Sequence, residues 1–420
     1  MSPVSRGRRP KKSGKRTPQK KSRSDALRPS TGPSESTLAT LVRTLGGGAR
    51  PAWFDGAIER VLSGAGALTT ARHARELDQR VAELVGAELY AALQSGFGLR
   101  FEWWFGELLD AALERVEQSD DPGRQGVVWL LHGLAAQRGE LPAELLRRTQ
   151  KAVRNRPVGR LPGWLDGAPR IAATGEVRRL RDAYGTRFGA IAEYLAPGDA
   201  RSSWYLFDID ASGFVVLADA GVYDDAEQAA EAWRINAGDA DATVATMDDP
   251  ADLRCLVEFD TGDEMSIRGD EPRRVMDNWF RVHARIHRLA RTLRSQGRPL
   301  PAHSSLYHDL DITVLAQPFT DWHIRTYGGP PNPEVVEALA EEWMEGALPE
   351  TWFSASPARI RFQRELIADW IPDPVTLGVV ALLPDWVRWL GERADLPADR
   401  MQPLLDAARE TPARLVGDGT

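Results

Sequence analysis

Residues 204–218, which read WYLFDIDASGFVVLA, decide the fold class of this chain. Residues 204–209 and 214–218 are short runs of aromatic and branched aliphatic side chains, separated by the polar sequence Asp-Ala-Ser-Gly. This pattern predicts two β-strands joined by a tight turn. A helix is predicted next over residues 226–236, and a further short strand over residues 243–247. The segment is therefore a small α/β module.

Helical spacing dominates the sequence on both sides of this module, which we place at residues 200–271. Apolar residues recur at intervals of three and four, as they do on the buried face of an amphipathic helix. One such series is Trp279, Val282, Ile286, Leu289 and Leu293. We therefore predict a fold that is mainly α with a small α/β module, α+β overall. A helical N-terminal domain at 37–199 precedes the sheet-containing insert, and a helical C-terminal domain at 272–420, with a strand candidate at 310–315, follows it.

Residues 1–36 differ in composition from the rest of the chain. They contain eleven Lys or Arg residues against two acidic residues, with Ser, Pro and Gly between them and almost no large apolar side chains. Such a segment cannot bury enough apolar surface to offset the entropy cost of ordering, so we predict that it is a disordered basic tail. Its net charge is +9, whereas the whole chain carries −7, so the remaining residues carry −16.

The cations of this basic tail are candidates for contact with nucleic acid or another polyanion, because Lys and Arg bind phosphates without reading sequence. The alternative is an extension that only promotes solubility. The candidate residues are Arg8, Arg9, Lys11, Lys12, Lys15, Arg16, Lys20 and Lys21. In the folded part of the chain, Arg147, Lys151 and Arg154 are candidates to assist them.

Two basic segments flank an acidic one in the remainder of the chain. Residues 147–187 carry a net charge of +8, residues 273–298 carry +7, and residues 205–271, between them, carry −15. The arginines of the second basic segment form a stripe on a predicted amphipathic helix and could contact phosphates. Pairing with the acidic segment explains the same charges without a ligand, and it is the interpretation that we favour.

Asp208, Asp210 and Ser212 alternate before a glycine, a pattern that resembles the calcium-binding loop of EF-hand proteins. The twelfth position is Asp219 instead of Glu, and strands replace the helices of that motif. The same Asp-x-Asp sequence resembles the nucleophile motif of haloacid-dehalogenase-type phosphatases, which implies Asp208 as nucleophile and Asp210 as acid/base. That family needs a downstream Lys, and none follows Lys151 here. We therefore interpret the segment as a hairpin turn in which Asp and Ser bond to the backbone.

Two groups of residues are candidate metal ligands. His283 and His287 lie four residues apart on a predicted helix, but they lack the Glu of a His-Glu-x-x-His motif, so we interpret them as solvated side chains. The second group comprises His308, Asp309, Asp311 and His323. Imidazoles and carboxylates so close in sequence could bind a divalent metal, although on a strand His308 would point away from the face shared by the two aspartates. We predict no metal or other cofactor.

The sequence lacks the usual signatures of several enzyme classes. It contains no G-x-S-x-G, G-x-G-x-x-G or G-x-x-x-x-G-K-[ST] pattern, which mark nucleophile-elbow hydrolases, Rossmann proteins and P-loop proteins. No apolar segment is long enough to span a membrane, so we expect no membrane partner. The single cysteine, Cys255, is typical of a protein of the reducing cytoplasm. The scarcity of Lys and the abundance of Ala, Gly and Asp indicate a GC-rich bacterial source.

These features together favour a non-enzymatic, cytoplasmic binding or regulatory protein whose basic tail contacts nucleic acid or another polyanion. One alternative is a metal-dependent enzyme that uses the His and Asp group described above. The other is a protein-interaction scaffold, for which the fourteen Trp residues would supply the anchors. Exposed Trp side chains would favour the scaffold, and His and Asp side chains brought together in space would favour the enzyme.

Overall fold

Most of the described part of the chain is helical. The structure is a computed structural model that describes residues 50–95, 100–118, 123–137, 142–199, 201–261, 273–303, 306, 310–370 and 373–410. Its α-helices are α1 (Trp53–Gly64), α2 (Ala74–Gln94), α3 (Phe101–Gln118), α4 (Arg124–Gln137), α5 (Pro142–Asn155), α6 (Ala226–Ala237), α7 (Arg254–Thr261), α8 (Arg273–Ser295), α9 (Thr313–Tyr327), α10 (Pro333–Met344), α11 (Pro357–Ala368), α12 (Pro374–Arg393) and α13 (Ala398–Arg409).

An antiparallel sheet of five strands follows the first five helices. The strands are β1 (Ala172–Arg181), β2 (Arg187–Leu195), β3 (Ser203–Asp210), β4 (Val216–Tyr223) and β5 (Ala245–Thr246). Their order in the sheet is β4-β3-β2-β1-β5, so the first four strands form a meander and β5 pairs with β1 at the edge. The predicted α+β class is confirmed, and so are the β3-β4 hairpin and helix α6.

Two predictions of secondary structure are wrong. Strands β1 and β2 lie in the segment that was predicted to be entirely helical up to residue 199. Ala and Arg have high helix propensity, and the consecutive buried residues of β2 show no two-residue period because both faces of this strand are covered. The strand predicted over residues 310–315 is also wrong, because α9 begins at Thr313.

The described residues divide into two compact units. The sheet-containing unit comprises the described residues up to Leu310 together with Met344–Ser356, and the C-terminal unit comprises Asp311–Trp343 and residues 357–410. The boundaries predicted at 199/200 and 271/272 both fall inside the sheet-containing unit. There the N-terminal helices and one face of the sheet share a single hydrophobic core.

Helices cover both faces of the sheet. On one face, Trp233 of α6 packs with Ile191 and Leu206. On the other face, Tyr205 and Phe207 belong to the larger core, which also contains the apolar residues of α8. Because α8 contacts both the sheet and α2, it is enclosed between the sheet and the N-terminal helices.

The C-terminal unit is built around aromatic side chains. The ring of Phe319 on α9 lies 5.8 Å from Trp322, 4.9 Å from Trp386 and 5.5 Å from Trp389, measured between centroids. Phe319 and Trp386 are fully buried. These tryptophans therefore stabilise the packing of α9 against α12, as expected for large rings that bury much apolar area.

Helices α2 and α8 approach each other most closely at Gly86. A Cβ atom added there would lie 2.5 Å from the Cα atom and 2.6 Å from the backbone nitrogen of Asp277. Gly106, in the interior of α3, has no neighbouring atom within 4 Å of the same position. The two glycines therefore differ in the space available for a side chain, although both lie within helices.

We predict that Gly86→Ala destabilises the sheet-containing unit by about 1–3 kcal/mol, because α2 and α8 must separate to accept the methyl group. The control Gly106→Ala is expected to stabilise it by about 0.5–1 kcal/mol, because alanine loses less backbone entropy in a helix. Urea unfolding followed by circular dichroism measures both changes. Equal effects of the two substitutions would contradict the close approach.

Candidate functional site

Helix α5 exposes a row of cations. Pro142 occupies its first position, as the sequence predicts, because proline there loses no helical hydrogen bond. Leu145, Thr149 and Ala152 are buried on its inner side. The exposed cations on the helix and the turn that follows it are Arg147, Arg148, Lys151, Arg154, Arg156 and Arg160. We call this set the α5 cationic face.

A buried arginine fixes the position of α5. Arg124, at the start of α4, is only 6% exposed. Its guanidinium donates hydrogen bonds to the carbonyl oxygen of Val116 on α3 at 2.8 Å and to that of Ala152 on α5 at 3.1 Å. Charge-assisted bonds of this kind are stronger than neutral ones. The C-terminal ends of α3 and α5 are therefore tied to α4, and the α5 cationic face is presented by a rigid support.

The members of the α5 cationic face differ in their partners. Arg148 lies 3.7 Å from Glu117. Lys151, Arg154 and Arg160 have no acidic side chain within 4 Å among the residues that the structure describes. These three charges are therefore available for an external anion.

Other basic residues pair with the acidic segment as predicted from the charge pattern. Arg187 pairs with Asp208 at 2.7 Å, and Arg179 lies 3.1 Å from Asp252. Arg274 forms a short ion pair with Asp219. These pairs with the acidic segment involve basic residues of the sheet and of the start of α8, and none of them involves the α5 cationic face.

The Asp208 motif forms the hairpin that the sequence indicates. The backbone N–H of Ser212 donates to Asp210 Oδ1 at 2.8 Å, which is the side-chain turn expected of aspartate. Asp208 is fully buried, and Arg187 donates to both of its carboxylate oxygens at 2.8 and 2.7 Å. Burial raises the pKa of Asp208 and outweighs the opposing effect of Arg187. A carboxylate enclosed in this way is neither a calcium ligand nor an accessible nucleophile.

The metal-ligand candidates of the second group are only partly described. His308 and Asp309 lie outside the described residues. Asp311 accepts a hydrogen bond from the backbone N–H of Thr313 at 3.1 Å, at the start of α9. His323 lies ten residues after Thr313 and is therefore about 15 Å further along α9, at 1.5 Å per residue. Its Nδ1 lies 2.9 Å from the carbonyl oxygen of Gly329. Asp311 and His323 therefore do not share one ion.

Helix α8 buries several of its charged side chains. The structure buries Arg281, Arg285 and Arg288, the stripe for which contact with phosphates or with the acidic segment was considered. The apolar side of the helix is buried as well, because α8 lies between the sheet and α2. His283 is half-buried and stacks on Phe259 with the ring centroids 5.4 Å apart, which corrects the interpretation of this side chain as solvated, whereas His287 is exposed as expected.

Metal-binding clusters and membrane-spanning helices are absent from the described residues. No group of three or more His, Cys, Asp or Glu side chains within the described ranges is placed to bind a metal ion. In the same part of the chain, no helix has the length and apolarity needed to cross a bilayer. Comparisons of the chain with protein-family models, with curated proteins and with solved structures return no match.

We predict that Asp208→Asn and Asp210→Asn have different effects, although the two residues belong to one motif. Asp208→Asn leaves Arg187 without its counter-charge in a largely buried position and is expected to cost about 3 kcal/mol of stability. Asp210→Asn retains the carbonyl oxygen that accepts from Ser212, so a change within about 0.5 kcal/mol is expected. Urea unfolding measures both. A larger loss for Asp210→Asn would contradict the hairpin interpretation.

Proposed function

We propose that this protein is a non-enzymatic binding or regulatory protein that contacts nucleic acid through the α5 cationic face, together with the basic tail at residues 1–36. The observation that supports this proposal is the exposure of Lys151, Arg154 and Arg160 without acidic partners in the described structure. The tail residues themselves lie outside the described residues. Their contribution rests on their composition alone.

The spacing of the cations suits a phosphate backbone. Arg147, Lys151 and Arg154 follow one another at intervals of four and three, so they share one side of α5. Such a row can contact successive phosphates of a nucleic acid strand. Each phosphate that it neutralises releases counterions. The exposed residues between these cations include Gln150 and Asn155, which can donate to phosphate or sugar oxygens.

The net negative charge of the chain after residue 36 supports the choice of this row as the contact with nucleic acid. The chain after residue 36 carries a net charge of −16, which repels a polyanion over most of its surface. Lys151, Arg154 and Arg160, which have no acidic partner among the described residues, stand out against that background. Arg179 and Arg187, which belong to the same basic segment of the sequence, are paired with Asp252 and Asp208.

The contact proposed here carries no sequence preference. The exposed side chains of α5 are charged or amide side chains, and none is aromatic. Stacking on the bases of a single strand needs aromatic rings, so it does not contribute to binding by this helix. Binding through α5 therefore depends on the phosphates, and its affinity falls steeply with salt.

The two alternative functions have no comparable support. All fourteen Trp residues lie in the described part of the chain, and each is buried or half-buried, so none supplies an exposed anchor for a scaffold. Asp311 and His323 are separated along α9, as described above. No observation in the described residues favours metal-dependent catalysis.

We predict that the double substitution K151E/R154E weakens binding of the full chain to duplex DNA and to RNA. Loss of two phosphate contacts should lower affinity by about 10- to 100-fold near 0.1 M salt and reduce the slope of log K against log salt by about 2 units. Fluorescence anisotropy of labelled duplex DNA and single-stranded RNA across a salt series measures both quantities.

A matched control is available on α8. R291E/R294E changes the net charge by the same amount at two exposed positions of the same kind, outside the α5 cationic face. We expect this control to bind as the wild type does, and a chain lacking residues 1–36 to bind more weakly. Equal affinities of K151E/R154E and R291E/R294E would contradict a role for α5. Absence of binding by the wild type at low salt would contradict the proposed function as a whole.

A further inference from the structure

Three arginines of α8 are buried around one aspartate. Arg281 is 2% exposed, Arg285 3% and Arg288 9%, and Asp78 on α2 is 2% exposed. Asp78 Oδ2 accepts from Arg285 Nη2 at 2.7 Å and from Arg281 Nη1 at 3.3 Å. Asp78 is the one carboxylate that pairs with these arginines in the described structure. Three cations thus meet one anion within the core.

The ionisation states support this count at neutral pH. Burial alone would raise the pKa of Asp78, but Arg285, Arg281 and Arg288 outweigh it and hold that pKa below its ordinary value. Burial lowers the pKa of Arg288 only to about 10, so it remains protonated. Tyr205, whose burial raises its pKa to about 12, remains neutral. The cluster therefore carries an excess of two positive charges.

Arg281 uses all its nitrogen atoms in hydrogen bonds. Its Nε donates to Asn278 Oδ1 at 2.6 Å, and its Nη2 donates to Gln79 Oε1 at 2.9 Å. Its Nη1 is the atom that contacts Asp78. Arg281 therefore has no nitrogen atom without a hydrogen-bond partner.

Arg285 and Arg288 differ from Arg281 in this respect. Nε and Nη1 of Arg285 and Nη1 of Arg288 are buried and have no hydrogen-bond partner among the described residues. Nη2 of Arg288 is occupied, because it donates to the carbonyl oxygens of Ala136 and Pro169. Arg285 and Arg288 lie three residues apart and so on one face of α8, and the charge of Arg285 contributes to the lowered pKa of Arg288. Buried donors without acceptors are rare in proteins, and those of charged groups are the most costly.

The surroundings of Arg285 limit the direction from which an acceptor can approach. Its guanidinium lies over the ring of Tyr194, 4.8 Å from the centroid, and 5.8 Å from that of Tyr205. The hydroxyls of both tyrosines donate elsewhere, to the carbonyl oxygen of Arg285 and to Asn278 Oδ1. An acceptor must therefore lie in the plane of the guanidinium, where its N–H groups point. Asp78 Oδ1, which is also without a partner, repels an anion on its own side.

We propose that Arg285 and Arg288 bind one small inorganic anion on the side away from Asp78, held by Arg285 Nη1 and by Arg288 Nη1. Burying uncompensated guanidinium groups is strongly unfavourable, and an anion removes much of that cost. The ligand is a halide or a small oxyanion, because the donor atoms are buried and a larger anion could not reach them. The anion stabilises the sheet-containing unit by neutralising α8 where it packs on β1, β4 and α2.

The test is equilibrium dialysis of the full chain against radiolabelled chloride, with gluconate replacing chloride at constant ionic strength. We expect saturable binding of one anion per chain and a rise in the unfolding temperature as chloride replaces gluconate, since a ligand that binds only the folded state stabilises it. Competition of nitrate and of phosphate with bound chloride distinguishes the two kinds of anion. Displacement of chloride by phosphate at a concentration below that of chloride identifies an oxyanion site, and a need for phosphate in excess of chloride identifies a halide site. Absence of saturable binding of all three anions overturns the proposal.

Two substitutions on the same helix locate the site. Arg288→Gln removes one cation of the proposed site and is expected to weaken binding by about 10- to 100-fold, the effect of one lost charge-assisted hydrogen bond. Arg291→Gln, an exposed position three residues further along α8, is the control and should leave binding unchanged. Equal affinities of the two variants overturn the proposal. If Arg288→Gln does not fold, Arg288→Lys keeps the charge and alters the donor geometry; reduced affinity then supports the proposal, and unchanged affinity overturns it.

Discussion

The ion pair between Asp78 on α2 and Arg281 and Arg285 on α8 makes the core of the sheet-containing unit possible. α8 contacts the sheet on one side and α2 on another, so Arg281 and Arg285 are buried between them. A guanidinium in that position needs a carboxylate and further acceptors, because removing each charge from water costs on the order of several kcal/mol. Asp78 supplies the charge, and Gln79, Asn278 and backbone carbonyls supply the acceptors. Gly86 permits the close approach of α2 and α8 on which this arrangement depends.

The same residue type serves two purposes in this protein. Arg187 of the sheet and Arg281 and Arg285 of α8 are largely enclosed and paired with carboxylates, and they fix the position of one element against another. Arginines and the lysine of α5 are exposed, and the described structure leaves three of these cations without carboxylates. Arg124 connects the two uses, since its buried guanidinium holds α5 in place so that the exposed cations are presented together. The physical difference is solvent access: buried guanidinium groups need partners in the fold, whereas exposed ones remain free for a ligand.

The two anion sites proposed here are independent in position and in chemistry. The α5 cationic face is open and suits an extended polyanion whose affinity depends on salt. The site at Arg285 and Arg288 is closed and suits one small ion that belongs to the folded core. A change of salt concentration would therefore affect the protein in two opposite ways, weakening contact with nucleic acid by screening while filling the buried site.

The sequence by itself determined the α+β class, the β3-β4 hairpin and helix α6, because these depend on local turn residues and on periodic burial. It also marked the cations of α5, since their number and spacing can be read without a fold. Only the tertiary structure decided that β1 and β2 are strands, because the pairing of β1 with β2 and of β2 with β3 outweighs the helix propensity of Ala and Arg. It alone separated Asp311 from His323, and it alone turned the arginine stripe of α8 inward. Whether a charged residue is exposed depends on which elements pack around it, and Asp78, which makes the burial possible, lies about 200 residues away in the sequence.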